Sequence, residues 1–367
     1  MDINIILEPD LSPAQFAEIA VEAERLGVRA IWSSNYHMHY DPFLLLAPAA
    51  AATSKILLGP LAVSPWEMHP LKMANAVLTL NEMSNGRAMI AVSGGGGPLG
   101  AMGWRSSETA PWWPPLHPEK RTADPGQRVI GVRDCIEVLE LARSGEWTMR
   151  YEGKVFAIIR PFGMPWAKQP GPLIYSCSTG PMMSRLGGRL ADGIQISDGT
   201  PDMIPHLVEQ VGVGLARRDE PFGKNHLGED FRIGNFWAWH IKEDVEASMY
   251  EARRELIWRG ALIGQVREEI AKCCHDEAEV DLIIDNWESF RVAFRNRSGN
   301  IEGIPADLVN RLIAGMASAG GPDRIDAEIE RYRAMADAGL TELDLRLFDN
   351  PMEGLKLIGE RVIPALR

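Results

Sequence analysis

Residues 56–97 read ILLGPLAVSPWEMHPLKMANAVLTLNEMSNGRAMIAVSGGGG, and this stretch decides the fold. Ile56 to Val63 is an apolar run closed by Ser64-Pro65, the pattern of a buried strand. Lys72 to Met83 is helical in pattern and runs into Ser84-Asn85-Gly86-Arg87. Ala88 to Val92 is a second apolar run. A strand, a helix of about 10–15 residues and another strand form a βαβ unit, which implies a parallel sheet.

The same rhythm extends in both directions. Upstream, Ile3 to Leu7 reads as a strand and Ser12-Pro13 opens a helix by cap chemistry and a first-turn proline. Phe16, Ile19, Ala20, Ala23 and Leu26 follow at helical spacing, and Gly27 ends that helix. Ala30 to Ser33 is the next strand and Leu44 to Thr53 an alanine-rich helix. Downstream, residues 98–127 break the pattern with Trp104, Trp112, Trp113 and the prolines Pro111, Pro114, Pro115, Pro118 and Pro125; this is read as a lid or a wall of a site. Helices are expected over Val129–Ser144, Pro181–Leu190 and Asp202–Ala216, and strands over Gly171–Ser176, Gly193–Ile196 and Arg232–Ile241. Val245–Ile270 reads as one long helix and Glu277–Phe294 as another. A helix over Asp323–Ala338, a strand over Glu342–Leu347 and a closing helix over Pro351–Ala365 complete the chain. Eight strand candidates, each commonly followed by a helix, give an α/β fold, a TIM (β/α)8 barrel. The expectation is a single domain over 1–367, with an irregular insertion at 98–127 and a helical one at 245–318.

Composition narrows the function. Of 367 residues, 38 are Lys or Arg and 50 are Asp or Glu, a net charge of −12, which argues against a nucleic-acid or anionic-membrane binder. Four cysteines without CxxC spacing read as reduced thiols of a cytoplasmic protein. The N-terminus shows no leader-like pattern, and no run of about 18 apolar residues is present. GxSxG, P-loop and Ser/His/Asp signatures are missing, so hydrolase and kinase chemistry have no carrier.

In a barrel of this class the chemistry sits at the C-terminal ends of the strands. Ser93-Gly94-Gly95-Gly96-Gly97 follows an apolar strand, and glycines there let main chain approach a bulky or anionic ligand. Ser178-Thr179-Gly180-Pro181 lies between a strand and a helix, where hydroxyls and free N–H groups favour a phosphate. Tyr36, His37 and His39 are candidate proton donors. His37 and His39 are two apart with only Asp41 near, so no metal site is read. Trp66, His69, Trp104, Trp113 and Trp239 suggest an apolar pocket for a small-molecule substrate.

Ala23-Glu24-Arg25-Leu26-Gly27, Ile31-Trp32, Thr53 to Gly59, His69-Pro70, Leu80 to Arg87, Gly180 to Met183 and Leu190 to Gly193 together resemble the bacterial-luciferase-like superfamily. Ala338-Gly339-Leu340 and Val362-Ile363-Pro364 match it too. The chain looks most like the branch that uses deazaflavin coenzyme F420, which includes methylenetetrahydromethanopterin reductase. That resemblance implies an oxidoreductase moving a hydride between F420 and an organic substrate, and a homodimer with the N-terminal half of the barrel at its interface. It also implies a non-proline cis peptide from Leu61 to Ala62 behind the deazaflavin ring. Asn35, Ser64, Ser93 and Pro181 would contact the cofactor, the glycine run Gly94, Gly95, Gly96 and Gly97 would lie along its ribityl and phosphate side, and Ser178, Thr179 and Gly180 would hold its phosphate. Two alternatives share the fold: a monooxygenase using reduced FMN, and a non-catalytic flavin-binding barrel. The branch often has Asp-His after its second strand, where this chain has Asn35-Tyr36 with His37 one place later. A glutamate that donates a proton in some relatives falls at Gly96, leaving Tyr36, His37 and His39 as substitutes.

Overall fold

The computed structural model describes residues 1–95, 101–102, 105–106, 122–123, 125–218 and 223–367. Gly96, Trp104 and Trp113, and most of the expected lid, lie outside the described residues. Eight strands form a closed barrel: β1 Asp2–Leu7, β2 Ala30–Ser34, β3 Leu57–Val63, β4 Met89–Ser93, β5 Leu173–Cys177, β6 Gly193–Ser197, β7 Arg232–Ala238 and β8 Glu342–Leu347. Each neighbours the next in chain order, and β8 closes on β1. These are the eight runs read from the sequence. They are buried on both faces because in a parallel barrel one face meets the interior and the other the helical layer, and most are apolar runs, although β8 (ELDLRL) sets buried Glu342 and Asp344 between its leucines.

Five helices of the first half begin with proline: α1 Pro13–Leu26, α2 Pro42–Ala52, α3 Pro70–Met83, α4 Pro125–Arg143 and α5 Pro181–Leu190. Proline suits the first turn because its missing N–H has no helical partner to lose. Ser12 caps α1 reciprocally with Gln15, and Gly27 ends it at φ 82°. Asp41 Oδ1 accepts the Phe43 and Leu44 N–H groups at 3.0 Å to start α2.

Packing divides the chain into two compact units. One comprises Ile6–Ile196 with Pro205–Gly234; the other comprises Met1–Ile5, Ser197–Ile204 and Asn235–Arg367. In the first unit, side chains staple the N-terminal ends of the strands. Glu24 accepts from the N–H groups of Ser54, Lys55 and Ile56 and from the Ser54 hydroxyl. The buried Arg87 guanidinium donates to Thr53 Oγ1 and to the carbonyls of Ala50, Thr53 and Ile56 at 2.7–3.0 Å. Asn81 donates to Pro170 O at 3.1 Å and accepts from Ala88 N at 3.1 Å. Gly59 lets β3 meet β4, since a Cβ there would stand 2.2 Å from Met89 O.

In the second unit, the helix expected over Val245–Ile270 is interrupted. It runs Val245–Glu255, takes a 3-10 turn at Leu256–Trp258, and resumes as Gly260–Ile263 and Arg267–Ala271. Arg259 is extended there (φ −71°, ψ 134°), and its guanidinium reaches Asp198 Oδ1 at 2.6 Å. Two glycines, Gly260 and Gly264, weaken the continuous helix that periodicity alone favours. Glu277–Phe294 likewise splits at Asn286 into Glu277–Asp285 and Trp287–Arg295. These helices bury an apolar core that includes Leu256, Leu262, Ile283, Phe290 and Leu312.

Candidate functional site

The C-terminal ends of β2, β3, β4 and β5 form one rim within the first unit. Register aligns them: Ser34 pairs with Leu61, Leu61 with Ala91, and Ser93 with Cys177. Between Leu61 and Val63 the register against β4 slips, because Leu61 faces Ala91 while Val63 faces Val92. Ala62 is therefore the extra residue of a bulge, a device that re-aims main chain at strand ends. The Leu61–Ala62 peptide bond is cis, as the resemblance implies.

Asn35, the residue after β2, donates from Nδ2 to Ala62 O at 3.0 Å and also to Glu67 Oε1. Glu67 follows β3 in a turn built by Ser64, whose carbonyl accepts from the Glu67 and Met68 N–H groups at 3.1 and 3.0 Å. Among the described residues Glu67 Oε2 is buried with no hydrogen-bond partner. Burial pushes the Glu67 carboxyl up to about 6, against the opposing pull of Asn35 and the Ser64 main chain and with the help of the Asp41 charge. Tyr36 and His39 stack edge to face at 6.0 Å, and His37 and His39 are solvent-exposed.

At the end of β4, Ser93 Oγ accepts from Gly95 N at 3.3 Å, and Gly95 takes φ 71°, which favours glycine. A Cβ on Gly94 would stand 3.5 Å from Arg128 Cβ and 3.8 Å from Met183 Cε, so this main chain is flanked by α4 and the first turn of α5. At the end of β5, Ser178 Oγ accepts from Gly180 N at 3.2 Å. Gly180 is the N-cap of α5 and supplies no side-chain cap. The first N–H groups of this ten-residue helix thus face the rim uncapped by any side chain. With Ser178, Thr179 and the uncapped helix start beside bare glycine main chain flanked by the Arg128 stem, the donors suit a phosphate.

The structure brings Asn35, Leu61, Ala62, Ser93, Gly94, Gly95, Ser178, Thr179, Gly180 and Pro181 to this rim, together with Tyr36, His37 and His39. Other expected residues hold the frame. Ser64 is fully buried, and its hydroxyl accepts from Trp66 N at 3.3 Å. Trp66 lies on α4 where a Cβ on Gly131 would come within 2.3 Å of its ring, and it meets Phe156 edge-on at 5.7 Å. His69 caps α3 by accepting Leu71 N at Nδ1 (3.2 Å), and its ring also meets Phe156 at 5.7 Å. Trp239 belongs to the second unit and is only 2% exposed, packed over Gly354, so its bulk is spent in the interior rather than on an open surface. Two residues escaped the sequence reading. Arg128 lies one residue before the helix start that the pattern predicts, whereas Pro125 marks the true start. Glu67 was missed because its partner, Asn35, is distant in sequence.

The chain is 24% identical over 370 residues to 5,10-methylenetetrahydromethanopterin reductase of Archaeoglobus fulgidus, covering 100% of both chains. It is 26% identical over 227 residues to the F420-dependent glucose-6-phosphate dehydrogenase of Nakamurella multipartita, covering 57% of this chain and 61% of that one. The solved coenzyme F420-dependent tetrahydromethanopterin reductase of Methanopyrus kandleri superposes with a TM-score of 0.75 at 21% identity, over 100% of this chain and 99% of that one. The luciferase-like monooxygenase family model matches residues 5–342, and the chain belongs to that family.

Proposed function

We propose that this protein is an oxidoreductase that moves a hydride between deazaflavin coenzyme F420 and an organic small molecule. The observation that carries the reading is the rim itself: an uncapped helix N-terminus with Ser178 and Thr179, set beside the side-chain-free main chain of Gly94 and flanked by Arg128. The methylenetetrahydromethanopterin reductase and F420-dependent dehydrogenase relatives support the deazaflavin over FMN. Bound there, the deazaflavin supplies or accepts the hydride. The chain's own residues bind and orient. Ser178, Thr179 and the first N–H groups of α5 hold the phosphate. Gly94 and Gly95 admit the tail, and the Leu61–Ala62 main chain, held by Asn35, backs the ring. Tyr36, His37 and His39 stand at the open side as proton donors. Four free cysteines support a reducing compartment, and we place the protein in the cytoplasm as a homodimer with the N-terminal half of the barrel at its interface.

The test is a fluorescence titration of the purified protein with F420 and with FMN. F420 is expected to bind more tightly, and Ser178→Ala to weaken it by about tenfold, the loss of one charge-assisted hydrogen bond. Preferential binding of FMN, with oxygen consumed on turnover, would make the protein a monooxygenase instead.

A further inference from the structure

The phosphate end of the rim has an evident purpose, but a carboxyl at its other end does not. Glu67 sits where β3 turns toward α3, beside the Leu61–Ala62 main chain. One oxygen is engaged by Asn35, and the other is buried and unpartnered among the described residues. A purely structural glutamate in this fold looks different: Glu24 fills its acceptor sites with donors. Leaving a buried carboxylate oxygen bare costs free energy, and the cost falls when that oxygen holds a proton.

Asn35 links this proton to the rim. Its amide nitrogen donates both to Ala62 O and to Glu67 Oε1. The strength of the second bond depends on whether the carboxyl is ionised, because hydrogen bonds to a charged acceptor are about twice as strong as neutral ones. The hold on the Ala62 carbonyl is therefore tied to the charge on Glu67. The groups around it are few. Asn35 donates from the segment after β2, the Ser64 main chain of its own turn favours the ionised form, and Asp41 at the start of α2 is the charged side chain whose field reaches it among the described residues.

We propose that Glu67 is the proton-holding residue of the rim, a positioning residue that takes up a proton from water when a flat anionic ligand covers the Leu61–Ala62 main chain and returns it when the ligand leaves. This rests on the reading that such a ligand binds here. Covering the rim removes the remaining water from Glu67 and brings negative charge closer, and both effects favour the neutral carboxyl. The exchange involves one proton and no other bond. The cofactor-free protein holds Glu67 partly protonated near pH 6, so uptake is largest above that pH.

Two measurements test it. In cofactor-free protein, the infrared difference spectrum of wild type minus Glu67→Gln should show a protonated-carboxyl band at pH 5 that is lost by pH 8. Asn35→Ala, which removes a bond that favours the ionised form, should move the midpoint of that loss upward. Calorimetric titration with F420, and with FMN as second probe, in buffers of different ionisation heat counts the protons taken up. At pH 7 the wild type should take up a proton that E67Q does not. Wild-type affinity should fall relative to E67Q by up to about tenfold per pH unit above 6. Absence of the band, or equal proton counts in wild type and E67Q, overturns the proposal. The failures separate: if neither cofactor binds, the functional reading falls and the ligand coupling with it, whereas binding with equal counts overturns the proton role alone.

Discussion

Glu24 and Glu67 lie at opposite ends of the strands in the same unit, and their surroundings push them in opposite directions. Burial acts to raise both. At Glu24 it is outweighed by the N–H groups of Ile56, Lys55 and Ser54 and the Ser54 hydroxyl, and the carboxyl falls to about 2. At Glu67 burial prevails, and the carboxyl rises to about 6. Donor supply makes the difference. The N-terminal ends of strands present main-chain N–H groups, which a carboxylate can gather. The C-terminal ends present carbonyls, such as Ala62 O, that compete with a carboxylate for the same donor. One end of the barrel thus suits ionised staples, and the other suits groups that hold protons or wait for a ligand.

The contrast can be broken at three points. Arg87→Ala should have the largest effect, because it strips a buried guanidinium from five acceptors, among them the carbonyls of Ala50, Thr53, Ile56 and Ser84. A loss of about 3 kcal/mol or more is expected in guanidinium denaturation. Glu24→Gln should cost about 1–2 kcal/mol at pH 7 after allowance for solvent screening. Its folded pKa lies below the ordinary 4.5, so the wild-type advantage is present above 4.5 and disappears as pH falls toward 2; a constant difference across that range would break the assignment. Glu67→Gln should show the smallest effect, with the opposite sign. The folded wild type binds more protons than the unfolded chain between about 4.5 and 6, so its stability declines as pH rises through that window. The decline should be at most about 2 kcal/mol, less for the carboxyl's partial exposure, and should vanish in E67Q when both are followed by thermal unfolding.

The barrel was legible because its signals are local. A strand buried on both faces is a short apolar run, and proline, serine and glycine mark helix ends by chemistry that acts within a few residues. Where a longer-range preference intervened, pattern reading overran. Val245–Ile270 reads as one helix because periodicity does not register that Arg259 turns away to meet Asp198. The glycine and Ser178–Pro181 segments of the rim are readable for the same local reason, since Gly94, Gly95 and Ser178 to Pro181 are contiguous motifs. Trp66, His69 and Trp239 were harder. Aromatic residues look alike in a sequence whether they line a pocket or fill a core, and only Gly131, Phe156 and Gly354 reveal what these three pack against.

By itself the sequence determined the order of strands and helices, the places where helices start, and the segments that must end at the rim, because each depends on neighbours along the chain. Only the tertiary structure decided which carboxyl is pushed down and which is pushed up. That choice turns on Asn35 lying against Ala62 and Glu67 across adjacent strands, and on how many donors each end of a strand presents. Desolvation and hydrogen-bond supply are properties of the packed neighbourhood, and no spacing in the chain encodes them.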